Sequence, residues 1–210
     1  MSFYCDYIFP VLNGKADPSV VVEARRTVIA KAHGAVLEIG FGTGKTLPYY
    51  KDKVSGLTIV EPSESMNSRA QRAIQRAQFQ INVAVLAAED LPFDVATFDT
   101  VVSTKTLCSV TDLEKSLNEL HRVLKPNGRF LFLEHVISSN RRVASWQRRL
   151  NPIQKKIGCG CHLDRDIIKA IEENGFQFSS VQRLDGGRGQ PGTKFTPVVY
   201  GDAFPTHTQP

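Results

Sequence analysis

The 210-residue chain contains no apolar run near the ~20 residues that a membrane-spanning helix needs. Its four cysteines are too few for a disulfide framework in a chain of this size. Residues 1–6 lack the basic and apolar regions of a signal peptide, and the chain has no repeats or low-complexity linker. We therefore expect a single domain over 1–210, located in the reducing cytoplasm.

One basic stretch stands out from an otherwise ordinary composition, which is 41% hydrophobic with a net charge of +5. Residues 140–165 hold seven basic residues against Asp164 alone, interleaved with apolar residues such as Trp146. Such a segment can weakly contact an anionic membrane, a nucleic acid or an acidic substrate. Because Pro152 interrupts the pattern, we favour a solvated helix whose apolar side packs on the rest of the protein. We expect no obligatory nucleic acid.

A short apolar run ends in a glycine-rich loop at residues 36–46, which read VLEIGFGTGKT. Val36, Leu37 and Ile39 predict a buried strand. Glycines let the backbone turn and approach a ligand without a Cβ in the way. We expect a helix to follow, with Pro48 near its start, whose free N–H groups favour an anionic group. The loop therefore predicts a site for a nucleotide-like cofactor.

The spacing of the glycines distinguishes between cofactors. A dinucleotide loop, G-x-G-x-x-G, would need glycine in place of Lys45, and a phosphate-binding P-loop would need it in place of Ile39. The remaining pattern, E-x-G-x-G-x-G, is matched fully by Glu38, Gly40, Gly42 and Gly44. A glycine turn without a ligand is the alternative, although so many glycines cost stability where structure alone is needed.

A second acidic residue follows the next predicted strand. Glu61 ends the β-rich run 57–60, about 20 residues after Gly40, where a carboxylate can accept hydrogen bonds from both ribose hydroxyls. The alternative is a surface acid beside the next helix, which Ser63 would cap. Both interpretations can hold together. Glu61 therefore supports a cofactor site without selecting the cofactor.

Strand and helix patterns alternate along the chain. Helices are predicted at 17–31 with Asp17 as N-cap, at 64–77, at 111–124 with a capping box over Thr111–Glu114, and at 165–174. Strands are predicted at 35–39, 57–60, 81–86, 98–103, 129–135, 178–184 and 196–203. Alternation favours parallel strands with right-handed crossovers, and the last two strands, with no helix between them, should pair antiparallel. The expected fold class is α/β: a doubly wound seven-stranded sheet, mostly parallel, with an antiparallel C-terminal hairpin.

Several further stretches carry a family resemblance that covers roughly residues 35–136. Residues 89–93 (EDLPF), 98–103 (FDTVVS) and 120–128 (LHRVLKPNG) are similar to the UbiE-like, type 11 branch of class I methyltransferases. More narrowly, residues 107–110 (LCSV), 134–136 (EHV), 160–163 (GCHL) and 200–201 (YG) resemble the thiol S-methyltransferase-like proteins. The resemblance implies a Rossmann-like fold, with S-adenosylmethionine as methyl donor and S-adenosylhomocysteine as product.

The resemblance also implies roles for individual residues. Those around the methionine part of the cofactor would be Glu38 and the loop backbone at Gly40, Gly42 and Gly44. Glu61 would bind the ribose. Those at the adenine would be Pro62, Met66, Ala88 and Glu89, with Ala87 standing where the family often has an acid. Thr104 would lie beside the site of methyl transfer.

By the same resemblance the domain divides into four parts. These are an N-terminal lid and helix (1–33), a cofactor-binding core (34–136), a basic cap (137–165) and a C-terminal helix with antiparallel strands (166–210).

The expected acceptor is a small molecule, with a thiol as first choice. A thiol with a pKa of about 8.5 needs only a modest fall in that pKa, whereas an amine or phenol near 10 depends more on a base. A phospholipid head group or a quinone or phenol is the alternative acceptor. Two alternatives lie outside methyl transfer: a nucleic-acid-binding protein on this scaffold, and a nucleotide hydrolase that uses residues 44–46.

The candidate catalytic residues are His135, Thr104 and Tyr7. His135 should end a parallel strand, where a ligand crevice is expected, and it is a candidate base together with His162. Tyr7, with Tyr4, could fold over the cofactor as a lid. We expect Cys108 to be buried rather than nucleophilic, because the methyl donor needs no enzyme nucleophile.

Three potential zinc ligands are clustered in sequence at Cys159, Cys161 and His162. No C-x-x-C pair or second histidine motif follows them. Cysteines two positions apart are also poorly placed for a disulfide with each other. We therefore expect no metal.

Overall fold

The computed structural model describes residues 4–5, 17–190 and 192–206. Its α-helices are α1 (Ser19–Ile29), α2 (Glu64–Gln75), α3 (Leu113–Val123), α4 (Arg141–Ile157) and α5 (Ile167–Glu173). Its strands are β1 (Gly34–Ile39), β2 (Val54–Val60), β3 (Ile81–Ala84), β4 (Phe98–Thr104), β5 (Leu124–His135), β6 (Phe176–Leu184) and β7 (Val198–Pro205). A turn of 3₁₀-helix, Leu47–Tyr49, lies between β1 and β2.

The strands of the described residues form one seven-stranded sheet in the order β3-β2-β1-β4-β5-β7-β6. The first five run parallel, and β7 lies antiparallel between β5 and β6. The predicted fold class is therefore confirmed. The strand order reverses between β1 and β4, and such a reversal opens a ligand crevice outside the carboxyl ends of the strands.

The central strands are buried on both faces, as the nearly continuous apolar runs of parallel strands predict. One apolar cluster contains Leu37 and Phe130 together with residues of α3 and α5. A second cluster contains Val36 and Leu131 together with residues of α1 and α2. Neighbouring residues of one strand point to opposite faces, so β1 and β5 each contribute to both clusters.

The helix predicted directly after the glycine loop is wrong. Only the 3₁₀ turn Leu47–Tyr49 forms, with Pro48 inside it, and Tyr50 is already extended. The chain then reaches β2 at Val54, so this connection contains no α-helix. The site therefore has no α-helix N-terminus at this loop to hold an anion.

Two predicted helix caps are also wrong. Asp17 does not cap α1, because its carboxylate pairs instead with Arg25 and Lys105, and the residue before the helix, Pro18, has no side chain that can accept. Asp112 rather than Thr111 caps α3, by accepting the backbone N–H of Lys115 at 3.0 Å. The Ser63 cap of α2 is confirmed, with the N–H of Met66 donating to its hydroxyl.

The basic segment forms one long helix, α4, which buries the side opposite to the one we predicted. Its buried residues are Ala144, Gln147 and Asn151. The Gln147 amide accepts from the N–H of Ser138, and the Asn151 amide donates to Asp164. The apolar residues of the helix, by contrast, are exposed: Trp146, Leu150, Ile153 and Ile157.

The described residues include no helix that is both long and apolar enough to cross a membrane.

The structure pairs Cys5 with Cys159 as a disulfide across 154 positions of sequence, whereas we expected only thiols. Tyr4 donates its hydroxyl to the carbonyl of Ile157 at the end of α4. These contacts place residues 4–5 against the C-terminal end of α4. Tyr7 lies outside the described residues.

Candidate functional site

A cavity of about 610 Å³ lies at the carboxyl ends of β1, β2, β4 and β5. Its floor consists of the glycine loop after β1, Glu61 after β2, and the segment 104–111 after β4. Residues 86–89 form one wall, and residues from the end of α4 to Cys161 form the opposite one. The volume lies in the range of about 300–1,000 Å³ that is usual for small-molecule sites.

The three glycines of the loop have different tasks. All have positive φ, which other residues rarely adopt. A Cβ on Gly40 would overlap Thr106, so the loop and the segment after β4 need this glycine to approach each other. A Cβ on Gly42 would come no closer to other groups than 3.9 Å, to the carbonyl of Gly40, so Gly42 leaves open space for a ligand. Gly44 packs on Phe41 and does not line the cavity.

Glu61 is fixed at the cavity wall by two backbone N–H groups. Gly42 donates to one carboxylate oxygen at 2.9 Å, and Ser63 donates to the other at 2.9 Å. Burial raises the pKa of this carboxyl, and the two backbone hydrogen bonds oppose the rise. Each oxygen keeps a lone pair, so Glu61 can accept two further hydrogen bonds from a ligand.

Glu38 lies beneath the loop rather than in the cavity wall. It is fully buried, and one oxygen accepts from the hydroxyls of Thr46 at 2.9 Å and Tyr50 at 2.8 Å. The other oxygen has no hydrogen-bond partner. Burial raises the pKa of Glu38 to about 7, against the two hydroxyls and the charge of Arg25. Glu38 therefore anchors the loop from below through its hydrogen bond with Thr46, and its second carboxylate oxygen remains an acceptor without a donor.

A cluster of cations on the cavity wall was missed by sequence reasoning. Arg25 from α1 pairs with Asp17 at 2.7 Å, and Lys105 pairs with the same carboxylate at 2.6 Å. Lys45 of the loop lies 3.8 Å from it. Burial alone would raise the pKa of Asp17, but Lys105 and Arg25 lower it to about 2. Three cations against one carboxylate leave this wall positive, which suits an anionic ligand group.

Three of the residues that the family resemblance implies at the adenine line the cavity: Pro62, Met66 and Ala88. Glu89 also lines it, but one of its oxygens accepts the backbone N–H groups of Thr111 at 2.8 Å and Asp112 at 3.2 Å. Glu89 therefore has a structural task at the start of α3 in addition to any ligand contact.

At the opposite end of the cavity, three side chains from distant parts of the sequence meet. The Cys108 and Cys161 sulfurs lie 3.6 Å apart, and each lies 3.6 Å from Nδ1 of His135. Both cysteines are buried, while His135 is half-buried. Thr104 lines the same cavity. His162, our second candidate base, is not among the lining residues, and its imidazole faces Asp164 at 3.7 Å.

The two thiols of this cluster differ in acidity. The contact with Cys161, followed by burial, raises the pKa of Cys108 well above its usual value. The same contact lowers the pKa of Cys161, against the effect of burial.

A fully buried carboxylate, Glu134, holds the segment that carries Cys108. One oxygen accepts from the hydroxyl of Ser103 at 2.6 Å and from the N–H of Thr106 at 3.0 Å, and the other accepts the N–H of Cys108 at 3.2 Å. Arg165 holds the same segment from the other side by donating to two of its carbonyls, at 2.6 and 2.8 Å. Two signals in the sequence pointed to Glu134: its position beside His135 and its place in the EHV stretch that carries the family resemblance.

Comparison with known proteins identifies sequence relatives. A family model described as "Methyltransferase domain" matches residues 37–132. Thiol S-methyltransferase TMT1B of Rattus norvegicus is 36% identical over 151 residues, which are 70% of this chain and 61% of the rat protein. Thiol S-methyltransferase TMT1B of Homo sapiens is 31% identical over 206 residues, which are 93% of this chain and 82% of the human protein. The match thus spans less than two thirds of the rat relative.

Solved structures share the fold at low sequence identity. Protein BH2331 of Bacillus halodurans C-125 superposes with a TM-score of 0.71 at 16% identity, over 90% of this chain and 100% of that one. Geranyl diphosphate C-methyltransferase of Streptomyces coelicolor A3(2), solved with Mg²⁺, geranyl diphosphate and S-adenosyl-L-homocysteine, gives 0.68 at 15% identity, over 90% and 77%. At these identities the similarity concerns the fold alone.

Proposed function

Because the chain belongs to the class I S-adenosylmethionine-dependent methyltransferases, in the family of the TMT1 thiol S-methyltransferases, we propose that it methylates the sulfur of a small thiol. One observation carries the proposal. A single cavity connects Glu61, which suits a ribose, with Cys108, His135 and Cys161, which suit a sulfur atom. Donor and acceptor can therefore meet in one enclosed space.

The first end of the cavity fits S-adenosylmethionine. Gly42 leaves room where any side chain would intrude, and Glu61 has acceptors left for both ribose hydroxyls. The cations at Arg25 and Lys105 suit the carboxylate of the methionine part. The carboxyl of Glu38 lies beneath the same loop, and its unpartnered oxygen is an acceptor that the amino group of the methionine part could use.

The bound cofactor supplies a methyl group that its sulfonium already activates, so the protein has to align the acceptor and exclude water. Thr104 and Cys108 lie on the segment between the two ends of the cavity and would position the acceptor there. His135 stays our candidate for the base. Its Nδ1 already contacts two cysteine sulfurs, so it acts within a cluster rather than as an isolated imidazole.

Two measurements test the proposal. S-adenosylhomocysteine should raise the melting temperature, while Mg-ATP and NAD should not, because the loop lacks the glycines that either nucleotide needs. Methylation assays with matched thiol, amine and phenol acceptors should then give a product only with the thiols. Stabilisation by Mg-ATP alone would contradict methyl transfer. Turnover of a phospholipid amine or a quinone ring, with none of a thiol, would contradict the acceptor class.

The exposed face of α4 supports our proposal of a weak contact with an anionic membrane. Trp146, Leu150, Ile153 and Ile157 repeat at helical spacing and point to solvent, and one edge of this strip is basic. The basic edge consists of Arg142, Arg149 and Lys156. An apolar strip beside cations is the pattern of helices that lie in a lipid interface. On the same helix Gln154 lines the cavity, so the contact would place the cavity near the lipid surface.

Vesicle sedimentation tests this contact. The protein should bind vesicles that contain phosphatidylserine, less so at high salt, and a Leu150→Ser/Ile153→Ser variant should bind several-fold less. Val95→Ser is the control, because Val95 is an even more exposed apolar residue far from α4 in sequence. Equal binding by the control and the α4 variant would argue against the contact.

A further inference from the structure

The cluster at the acceptor end has the shape of a metal site. The three ligand atoms, Sγ of Cys108, Nδ1 of His135 and Sγ of Cys161, form a triangle with sides of 3.6 Å. Zinc binds sulfur at about 2.3 Å and imidazole nitrogen at about 2.0–2.1 Å with tetrahedral angles. With these bond lengths and angles, two zinc-bound sulfurs lie about 3.8 Å apart, and a zinc-bound sulfur lies about 3.6 Å from the nitrogen. The triangle therefore matches three corners of a zinc tetrahedron without rearrangement of the chain.

We propose that Cys108, His135 and Cys161 bind a zinc ion, and that the open fourth position takes the sulfur of the acceptor thiol. The identity of the fourth ligand rests on the proposed function, whereas the metal site rests on the three side chains alone. Two cysteines, one histidine and an open position are a ligand set of catalytic rather than structural zinc sites.

The backbone around the ligands is fixed before any metal arrives. The N–H of His162 donates to the carbonyl of Cys108 at 2.7 Å, which joins the segments that carry the two cysteines. A Cβ on Gly160 would come within 2.9 Å of the carbonyl of Ser109, so the same approach requires glycine there. The N–H of Cys108 also donates to Glu134, so hydrogen bonds on both its N–H and its carbonyl fix the backbone of Cys108. Such outer contacts orient the ligands of a metal site.

The charges of the site would balance. Two thiolates and a neutral imidazole cancel the two charges of Zn²⁺, so the metal with its three protein ligands adds no net charge to a buried region, and the acceptor thiolate brings one negative charge only while it is bound. Soft sulfur ligands also favour zinc over magnesium or calcium, which prefer oxygen. Our expectation of no metal considered Cys159, Cys161 and His162. The structure directs His162 towards Asp164 and ties Cys159 to Cys5, so only Cys161 of that motif joins the cluster.

A zinc ion would make a general base unnecessary for removal of the thiol proton. A thiol that binds zinc gives its proton to solvent and remains as a thiolate, so His135 need not accept it. The thiolate sulfur forms a bond to the methyl carbon as the bond from that carbon to the sulfonium sulfur breaks. Thiol and S-adenosylmethionine become thioether, S-adenosylhomocysteine and one proton. The neutral thioether is a weaker ligand than a thiolate and leaves the metal.

Metal analysis of the purified, reduced protein tests the site without reference to activity. We expect one zinc ion per chain, and in its place Co²⁺ should give the charge-transfer and visible bands of a tetrahedral thiolate site. Cys161→Ser and His135→Ala should each weaken zinc binding by more than the about 10–100-fold that loss of an outer-shell partner causes. Cys159→Ser is the matched control, because it removes a nearby cavity-lining cysteine outside the cluster, which is a thiol once its disulfide with Cys5 is reduced, and it should keep the metal.

The results separate the two proposals. Chelator treatment should abolish thiol methylation but leave S-adenosylhomocysteine binding intact, and Zn²⁺ should restore the activity. A wild-type protein that binds no zinc, or full thiol methylation by metal-free protein, would overturn the zinc site and leave the proposed function standing. Bound zinc with no thiol turned over would support the site but overturn its acceptor, and with it the proposed function.

Discussion

Replacement of Glu61 by glutamine should weaken the binding of S-adenosylhomocysteine by about 100-fold. The carboxylate already accepts one backbone N–H on each oxygen, from Gly42 and from Ser63, and it keeps acceptors for the ribose hydroxyls. Glutamine has a single oxygen, so its NH₂ group must face one of those N–H groups and turn the side chain from its place. At the lower end of the range for hydrogen bonds to a charged acceptor, about 1.5 kcal/mol each, the loss of two such bonds costs about 3 kcal/mol, which corresponds to roughly 100-fold in affinity. Isothermal titration would measure it.

Glu64→Gln is the matched control, because Glu64 is an exposed acid three residues after Glu61, at the start of α2. Its affinity for S-adenosylhomocysteine should equal that of the wild type. Unchanged affinity in Glu61→Gln would mean that the cofactor binds elsewhere and that Glu61 only braces the glycine loop. The ligand-free melting temperatures of both variants show whether either change acts through stability.

The cofactor end of the site could be predicted because its signals are local in sequence. Glu38 and the alternating glycines fall within seven residues, and Glu61 follows one strand later. A strand that ends in a glycine loop constrains both the path of the backbone and the kind of ligand that can approach it. The spacing of the glycines alone therefore distinguished between cofactors. The fold was predictable for the same reason, because the apolar pattern that identifies each strand and most of the helices lies within that element itself.

The acceptor end could not be predicted because no local pattern describes it. Cys108, His135 and Cys161 come from three connections, and only the sheet order brings them together. Three of the short stretches that resemble thiol S-methyltransferases each contain one of these residues, but sequence gives no distance between them. The cation at Arg25 was hidden in the same way, within a helix that has no other sign of function.

The error at α4 has a different physical origin. Periodicity identified a helix with an apolar strip, but it could not say which side of the helix faces the protein. Burial was decided by Gln147 and Asn151, whose amides find partners in the backbone at Ser138 and Leu163. Satisfied buried amides are tolerated in a protein interior. The apolar strip was thus left exposed, and that exposure is the basis of the proposed membrane contact.

Replacement of Glu134 by glutamine should lower kcat/KM for the thiol acceptor by about 100-fold while leaving the affinity for S-adenosylhomocysteine nearly unchanged. The glutamine oxygen can keep the hydroxyl of Ser103 and the N–H of Thr106, but its NH₂ group then meets the N–H of Cys108. Two donors repel, so Cys108 moves away from His135 and Cys161. A displacement of about 1 Å at a reacting centre can cost about 100-fold in rate. Steady-state kinetics with a thiol acceptor would measure the loss.

Glu119→Gln separates positioning from stability. Glu119 also accepts a backbone N–H, from Leu91 at 2.8 Å, and it pairs with Arg122, yet it does not line the cavity. Both variants lose a hydrogen bond to a charged acceptor, so both melting temperatures should fall, but only Glu134→Gln should lose methyl transfer. If the two lost activity in proportion to stability, Glu134 would be a structural residue only. Retained cofactor affinity with lost transfer would instead locate the damage at Cys108, since Glu61 and the glycine loop follow β2 and β1 and the glutamine keeps the N–H of Thr106 beside that loop.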